Sequence, residues 1–303
     1  MRSTSPDIKL IASGSSNYSA GADPYHWNAT ILGGLKGYID YIALHMYVGN
    51  YRNNYYDFLA TPLEMDQRTQ VVRGMILREQ SRRPVYIAWD EYNVWYRARS
   101  GDDVVGNRAL EEKYNLEDAL VITGFLNCFV RNADIVKMAN MAQLVNVIAP
   151  IFTEGDELFL QTIYYPLQLF SSNMNGESLD VFVDSPAYDT TPRFSLGDNE
   201  ASTHIKDVPY LDVTAALDGD QLVICVLNRH KDKAISTEVN CQQGAFSGPV
   251  EVYEINGPDI KSENDFGKTN VQTVRKNDLK KPGASFIYSF PAHSVTMFKG
   301  KIK

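Results

Sequence analysis

Within about its first 170 residues the chain alternates four times between a short apolar run and a longer helical one, and this repeat restricts the possible folds more than any single motif. Ile8 to Ser13, Tyr41 to Tyr47, Pro84 to Tyr92 and Ile135 to Leu144 read as strands. Asp23 to Tyr38, Met65 to Arg83, Asn115 to Ala133 and Gln161 to Ser171 read as helices, with Asn115 placed to cap its helix and Glu117 and Asp118 in the first turn, at the positive end of the helix dipole. Strands joined in this way form a parallel sheet, either open and doubly wound or closed as a (β/α)8 barrel. No Gly-rich phosphate-binding turn follows any of the strands, which favours the barrel.

Past Gly176 the texture changes. Leu179 to Val183, Tyr210 to Leu217, Gln221 to Leu227, Ala234 to Val239, Val250 to Ile255, Phe286 to Phe290 and Ser294 to Phe298 are short alternating runs, separated by turns such as Asp218-Gly219-Asp220 and Asn256-Gly257-Pro258. Such spacing indicates an antiparallel, jelly-roll-like β-sandwich, with the polar stretch Lys261 to Lys281 as a long loop. The expected class is α/β plus all-β, with one domain over residues 1–175 and a second over 176–303.

The stretch Trp89 to Tyr96 carries the strongest chemical signal. Strict alternation along Pro84 to Tyr92 puts Val85, Ile87, Trp89 and Glu91 on one face, so Glu91 is a carboxylate among apolar neighbours, which is costly without a partner or a task. Asp90 then faces the other way, toward a salt bridge or cap. Trp89, Tyr92, Trp95 and Tyr96 offer aromatic faces that stack on the C–H faces of a sugar, or they form an ordinary aromatic core. In a barrel the active site lies at the C-terminal strand ends, where Glu91 would meet His45, Tyr47 and Gln143. Each has a plainer role open to it: His45 as a core histidine, Tyr47 as packing, Gln143 as a satisfied amide, and Trp95 as a loop anchor in place of a pocket wall.

A net charge of −8 with no Lys/Arg run argues against nucleic acid or an anionic membrane as partner. Cys128, Cys225 and Cys241 are odd in number and include no CxxC pair, which indicates neither a disulfide framework nor a zinc site and suggests a reducing, cytoplasmic compartment.

Six blocks in order then resemble the family 51 α-L-arabinofuranosidases, retaining glycoside hydrolases of the large barrel clan: Gly14 to Asn17, Leu44 to Asn50, Trp89 to Tyr96, Tyr114 to Leu120, Ala142 to Pro150 and Gln161 to Pro166. The resemblance implies that Glu91 is the nucleophile at the end of the seventh barrel strand. It implies that His45 and Tyr47 line the sugar site from the sixth strand, with the Tyr47 phenol bonded to Glu91, and that Gln143 contacts the sugar from the eighth. It implies an arabinofuranosyl oligosaccharide or polysaccharide as substrate and no metal or organic cofactor.

A retaining glycosidase needs a second carboxylate, about 5 Å from the first, as acid and then base. In the family it follows a Gly-Asn pair on the fourth strand, but here Gly49-Asn50 precedes Tyr51 and Gly106-Asn107 precedes Arg108. Four strand-helix units are also half of the eight a barrel needs. The chain thus reads as the C-terminal half of a barrel, strands five to eight, followed by the sandwich, with Met1 an internal methionine. The expectation is a chain that is inactive alone and that pairs with the missing N-terminal half or with another copy. The alternative is a non-catalytic carbohydrate-binding or interaction module.

Overall fold

A computed structural model of the protein describes residues 1–16, 24–79, 83–98, 108, 110–192 and 204–303. Its first part contains β1 (Ile11–Ser13), α1 (Pro24–Leu35), β2 (Tyr41–Val48), α2 (Tyr55–Leu59), α3 (Thr61–Glu79), β3 (Tyr86–Val94), α4 (Leu116–Arg131), β4 (Val136–Met141), the hairpin β5 (Ile151–Glu154) and β6 (Glu157–Leu160), and α5 (Tyr164–Asn173). The second part is all strand: β7 (Glu177–Leu179), β8 (Ala187–Thr190), β9 (Ile205–Pro209), β10 (Leu211–Asp218), β11 (Gln221–Asn228), β12 (Ile235–Asn240), β13 (Glu251–Asn256), β14 (Gln272–Arg275), β15 (Ser285–Phe290) and β16 (Ser294–Lys301).

The four expected strands form one parallel sheet in the order β1-β2-β3-β4, with β1 and β4 at its edges. The helix expected from Met65 starts earlier, at Thr61, because Pro62 falls in its first turn, where a missing N–H costs little. Helix α4 is apolar on every side, and nearly all its residues from Leu116 to Phe129 are buried. Asn115 caps it in a capping box with Asp118, as its position predicts.

The reason for that burial is a second sheet against α4, ordered β14-β13-β16-β11-β10-β7. Alternation along β11 divides its side chains cleanly. Val223, Cys225 and Leu227 join the core shared with α4 and the parallel sheet's helices, whereas Leu222, Ile224 and Val226 pack with Phe290 and Phe298 in a second core toward the small β12–β15 sheet. The second part is therefore the expected antiparallel sandwich, one of whose faces lies on the helices. Two details depart from expectation: β14 lies inside the supposed loop Lys261 to Lys281 and pairs with β13, and β8 pairs with β9 beside the main sheet.

A buried ion chain joins the sandwich to the helices. Asp212 of β10 binds Arg229, which follows β11, at 2.6 Å and Arg131 of α4 at 2.5 Å, and Arg131 reaches Asp66 of α3 at 2.7 Å. Arg229 is also tied to the carbonyls of Leu59 and Pro209. Although burial opposes it, Arg131 and Arg229 hold the Asp212 carboxyl below its ordinary range. Removing Asp212 leaves a guanidinium that is 1 % exposed without its counter-charge. Asp212→Ala is expected to lose about 3–5 kcal/mol in urea unfolding; a loss below about 1 kcal/mol would show that the chain of charges does not couple the layers.

Candidate active site

The β2–β3 pairing is regular up to Ala43 and Ala88, which pair, and then β3 gains a residue on β2. His45 pairs with Glu91, so two steps along β2 match three along β3, and the β3–β4 register shifts between Ile87 and Ala88 and again between Trp89 and Tyr92. This bulge reverses the expected parity. Val85, Ile87 and Trp89, and beyond the bulge Tyr92 and Val94, face the helix-side core, and Trp89 Nε1 donates to Thr69 Oγ1 of α3 at 3.1 Å. Glu91 does not share their face: it looks with His45 to the other side of the sheet. Asp90, expected behind the sheet, also lies against His45. A bulge turns two successive side chains toward one side, which strict alternation forbids.

The result is a cluster at the C-terminal ends of β2 and β3. The Tyr47 phenol donates to Glu91 Oε2 at 3.0 Å. His45 Nδ1 lies 3.5 Å from the same oxygen, and its Nε2 lies 3.1 Å from Asp90 Oδ1. The Asp90 contact is close without being aligned as a hydrogen bond, since that buried oxygen has no hydrogen-bond partner. The Trp95 ring meets Tyr47 edge-on at 5.5 Å and donates its Nε1 to the Ala98 carbonyl. Trp95 therefore serves both as loop anchor and as a wall beside Tyr47.

Gln143 stands just past the end of β4, exposed, in a loop held by Asn93, whose Nδ2 donates to the carbonyls of Ala142 at 2.7 Å and Ile148 at 2.6 Å. The structure thus brings Glu91, His45, Tyr47 and Trp95 into contact and sets Gln143 on the neighbouring strand's exit loop. Asn17 and the Gly106-Asn107 pair lie outside the described residues. Among the described residues no group of three or more His, Cys, Asp or Glu side chains is arranged to hold a metal ion.

A second set of charges, built on the fully buried carboxylates of Glu112, Glu117 and Asp118, underlies these loops; of its members, sequence spacing marks only Glu117 and Asp118, as helix-dipole partners. Glu112 accepts from the backbone N–H groups of Tyr96, Arg97 and Ala98, which fixes the turn after Trp95. Arg97 pairs with Asp118 at 3.0 Å, and its guanidinium lies over the Tyr96 ring. Glu117 accepts from Asn50, at the exit of β2, and from Lys261 of the sandwich. Gly49 lets the two exits touch: a Cβ there would meet Tyr96 Cβ at 2.3 Å. Desolvation pushes the Asp118 carboxyl up to about 7 against the pull of Arg97, and it raises Glu112 as well.

A carboxylate held through one oxygen by a phenol, with an imidazole beside it, keeps its other oxygen available as a nucleophile or base. The model of the α-L-arabinofuranosidase C-terminal domain matches residues 90–294. The chain belongs to the family 51 α-L-arabinofuranosidases. This chain is 34% identical over 260 residues to the intracellular exo-α-(1→5)-L-arabinofuranosidase of Halalkalibacterium halodurans, covering 82% of this chain and 49% of that protein. The family 51 α-L-arabinofuranosidase of Thermotoga petrophila superposes with a TM-score of 0.85 at 29% identity, covering 99% of this chain and 59% of that one. The arabinose complex of the Thermotoga maritima enzyme gives 0.83 at 27%, covering 99% and 59%. The chain thus spans about half the length of the relatives it matches.

Asp118 makes the chain's stability depend on pH. A carboxyl raised on folding binds its proton more tightly in the folded chain, so between an unfolded value of about 4 and about 7 its contribution to stability declines as pH rises. Urea unfolding across that range is expected to show wild type losing ground to Asp118→Asn by roughly 2–4 kcal/mol at most. A gap that stays constant with pH would show that Asp118 holds its proton equally in the folded and unfolded chain.

Proposed function

We propose that the chain carries the nucleophilic half of a retaining α-L-arabinofuranosidase site, with Glu91 as nucleophile. The observation that supports this best is the hydrogen bond from Tyr47 to Glu91 Oε2, made between neighbouring parallel strands at their C-terminal ends. Two side-chain contacts on Oε2 leave Oε1 as the attacking oxygen. Glu91 would form an ester bond to the anomeric carbon as the glycosidic C–O bond breaks, and the leaving oxygen would take a proton from a second carboxyl. Water would then cleave the ester after giving a proton back to that carboxylate. Tyr47 and His45 would orient Glu91, Trp95 would close the sugar pocket, and Gln143 would bind the sugar from the β4 exit. The substrates that fit are terminal α-L-arabinofuranosyl units of arabinan, arabinoxylan or their oligosaccharides, and the names of the relatives support an intracellular setting.

The parallel sheet is read as strands five to eight of a (β/α)8 barrel, in a domain ending near residue 175, with the sandwich as the second domain. Both edges support it. Ile11, Trp27, Leu35 and Tyr38 are exposed on the β1 flank, and Leu144 and Val145 beyond β4, as large apolar side chains would be where further strand-helix units belong. The acid/base carboxylate belongs to those units, so the chain alone would leave natural glycans intact. The N-terminal half-barrel, or a second copy of the chain, is the partner that would cover these edges.

A good leaving group removes the need for the acid, and without a base the ester breaks down slowly. Incubated with 2,4-dinitrophenyl α-L-arabinofuranoside, the chain is expected to gain the mass of one anhydropentose, on the peptide containing Glu91. Glu91→Ala is expected to gain none. An unmodified wild-type chain that still binds arabinose would favour a carbohydrate-binding module instead, and an adduct on another residue would reassign the nucleophile.

A further inference from the structure

Asp90 takes no part in the chemistry described so far, yet its surroundings are unusual. It precedes Glu91, and in a regular strand it would point into the helix layer. The bulge turns it back, so that the His45 ring lies between two carboxylates, Nε2 at 3.1 Å from Asp90 and Nδ1 at 3.5 Å from Glu91. The two nitrogens flank Cε1 and point in divergent directions, so a ring rotation moves both contacts together. Asp90 Oδ1 is shielded from solvent and makes no aligned hydrogen bond, so the imidazole is the polar group it faces. Among the described residues the other ionisable side chain bonded to this group is Tyr47, which spends its proton on Glu91 Oε2. Just past β1, Ser15 O accepts from His45 N.

We propose that Asp90 is a positioning residue that acts through His45: it holds the imidazole so that Nδ1 faces Glu91 Oε2, and thereby directs Glu91 Oε1 toward the sugar. This rests on the reading of Glu91 as nucleophile. An imidazole has broad torsional freedom about χ2, and a ring left without Asp90 loses the contact that selects one orientation. The arrangement resembles the outer partners of metal-bound histidines, where a carboxylate on the far nitrogen fixes ring and tautomer, but here the near nitrogen faces a carboxylate instead of a metal.

The test uses the full chain and the dinitrophenyl arabinofuranoside. Asp90→Asn, close in shape, and Asp90→Ser are expected to lower the limiting rate of Glu91 arabinosylation about ten- to hundredfold while leaving the donor's half-saturating concentration within about twofold. In a His45→Gln background the same substitutions are expected to have no further effect. Additive losses in the two backgrounds, or equal limiting rates for Asp90→Asn and wild type, would overturn the proposal. The nitrogen resonances of His45 in histidine-labelled protein supply an arm that needs no catalysis. They are expected to change tautomer pattern in both Asp90 variants, at unchanged unfolding midpoints, and an unchanged pattern would also overturn it. If wild type forms no adduct while those resonances change, the nucleophile assignment fails and the ring-positioning role stands.

Discussion

The start of α4 is the constraint on which the site depends. A helix buried on every side carries its first-turn N–H groups and its acidic residues out of water, so each must find a partner inside the protein. Asn115 and Asp118 satisfy each other's backbone, and Arg97, Asn50 and Lys261 answer Asp118 and Glu117. Two of these partners come from the chain just beyond the candidate site residues: Asn50 follows Tyr47 by three positions, and Arg97 follows Trp95 by two. The interactions that make burial of this helix tolerable therefore also fix the chain just beyond Tyr47 and Trp95. Three carboxylates, Glu112, Glu117 and Asp118, face two cations, which is why desolvation outweighs attraction at Asp118 and Glu112.

Lys261 makes the sandwich part of this arrangement. The Ile260 carbonyl accepts from the Glu117 N–H, Asn264 donates to the Leu160 carbonyl, and Phe266 packs on Phe152 and Phe159 of the β5–β6 hairpin. Together with the Asp212 chain on the far end of α4, these contacts grip the helix at both termini. Sheet and helices are not merely adjacent; the six-stranded sheet completes the core that α4 needs, and its loops complete the polar partners.

Much of the fold was legible because it rests on local pattern. The four strands of the parallel sheet, the cap at Asn115 and the alternation along β11 all follow from residue spacing within one element. The contact of Tyr47 with Glu91 was expected only from the family resemblance, since no spacing within the chain joins positions so far apart. The facing of Glu91 was misread because alternation assumes a regular strand, and the extra residue in β3 is defined by its pairing with β2 and β4. The buried charge cluster was hidden for a related reason. Glu117 and Asp118 look like ordinary helix-dipole acids until Lys261, more than 140 positions away, is brought against them.

The bulge is best understood through what a site of this kind has to supply. A regular strand could offer the site Asp90 or Glu91, but not both, and His45 would then face one carboxylate across its ring. The bulge gives up regular pairing over a few residues and in return presents both acids to one imidazole. The Glu91 side chain is 46 % exposed, so water solvates much of its charge in this chain. A bound sugar would remove that water, and the contacts left to the carboxylate would be those of Tyr47 and His45. Both fall on Oε2, so with Glu91 as the proposed nucleophile the charge would be held at one oxygen while Oε1 would keep its lone pairs for the substrate. An asymmetric anchor of this sort constrains direction more than strength, and direction is what a displacement at a crowded anomeric carbon demands.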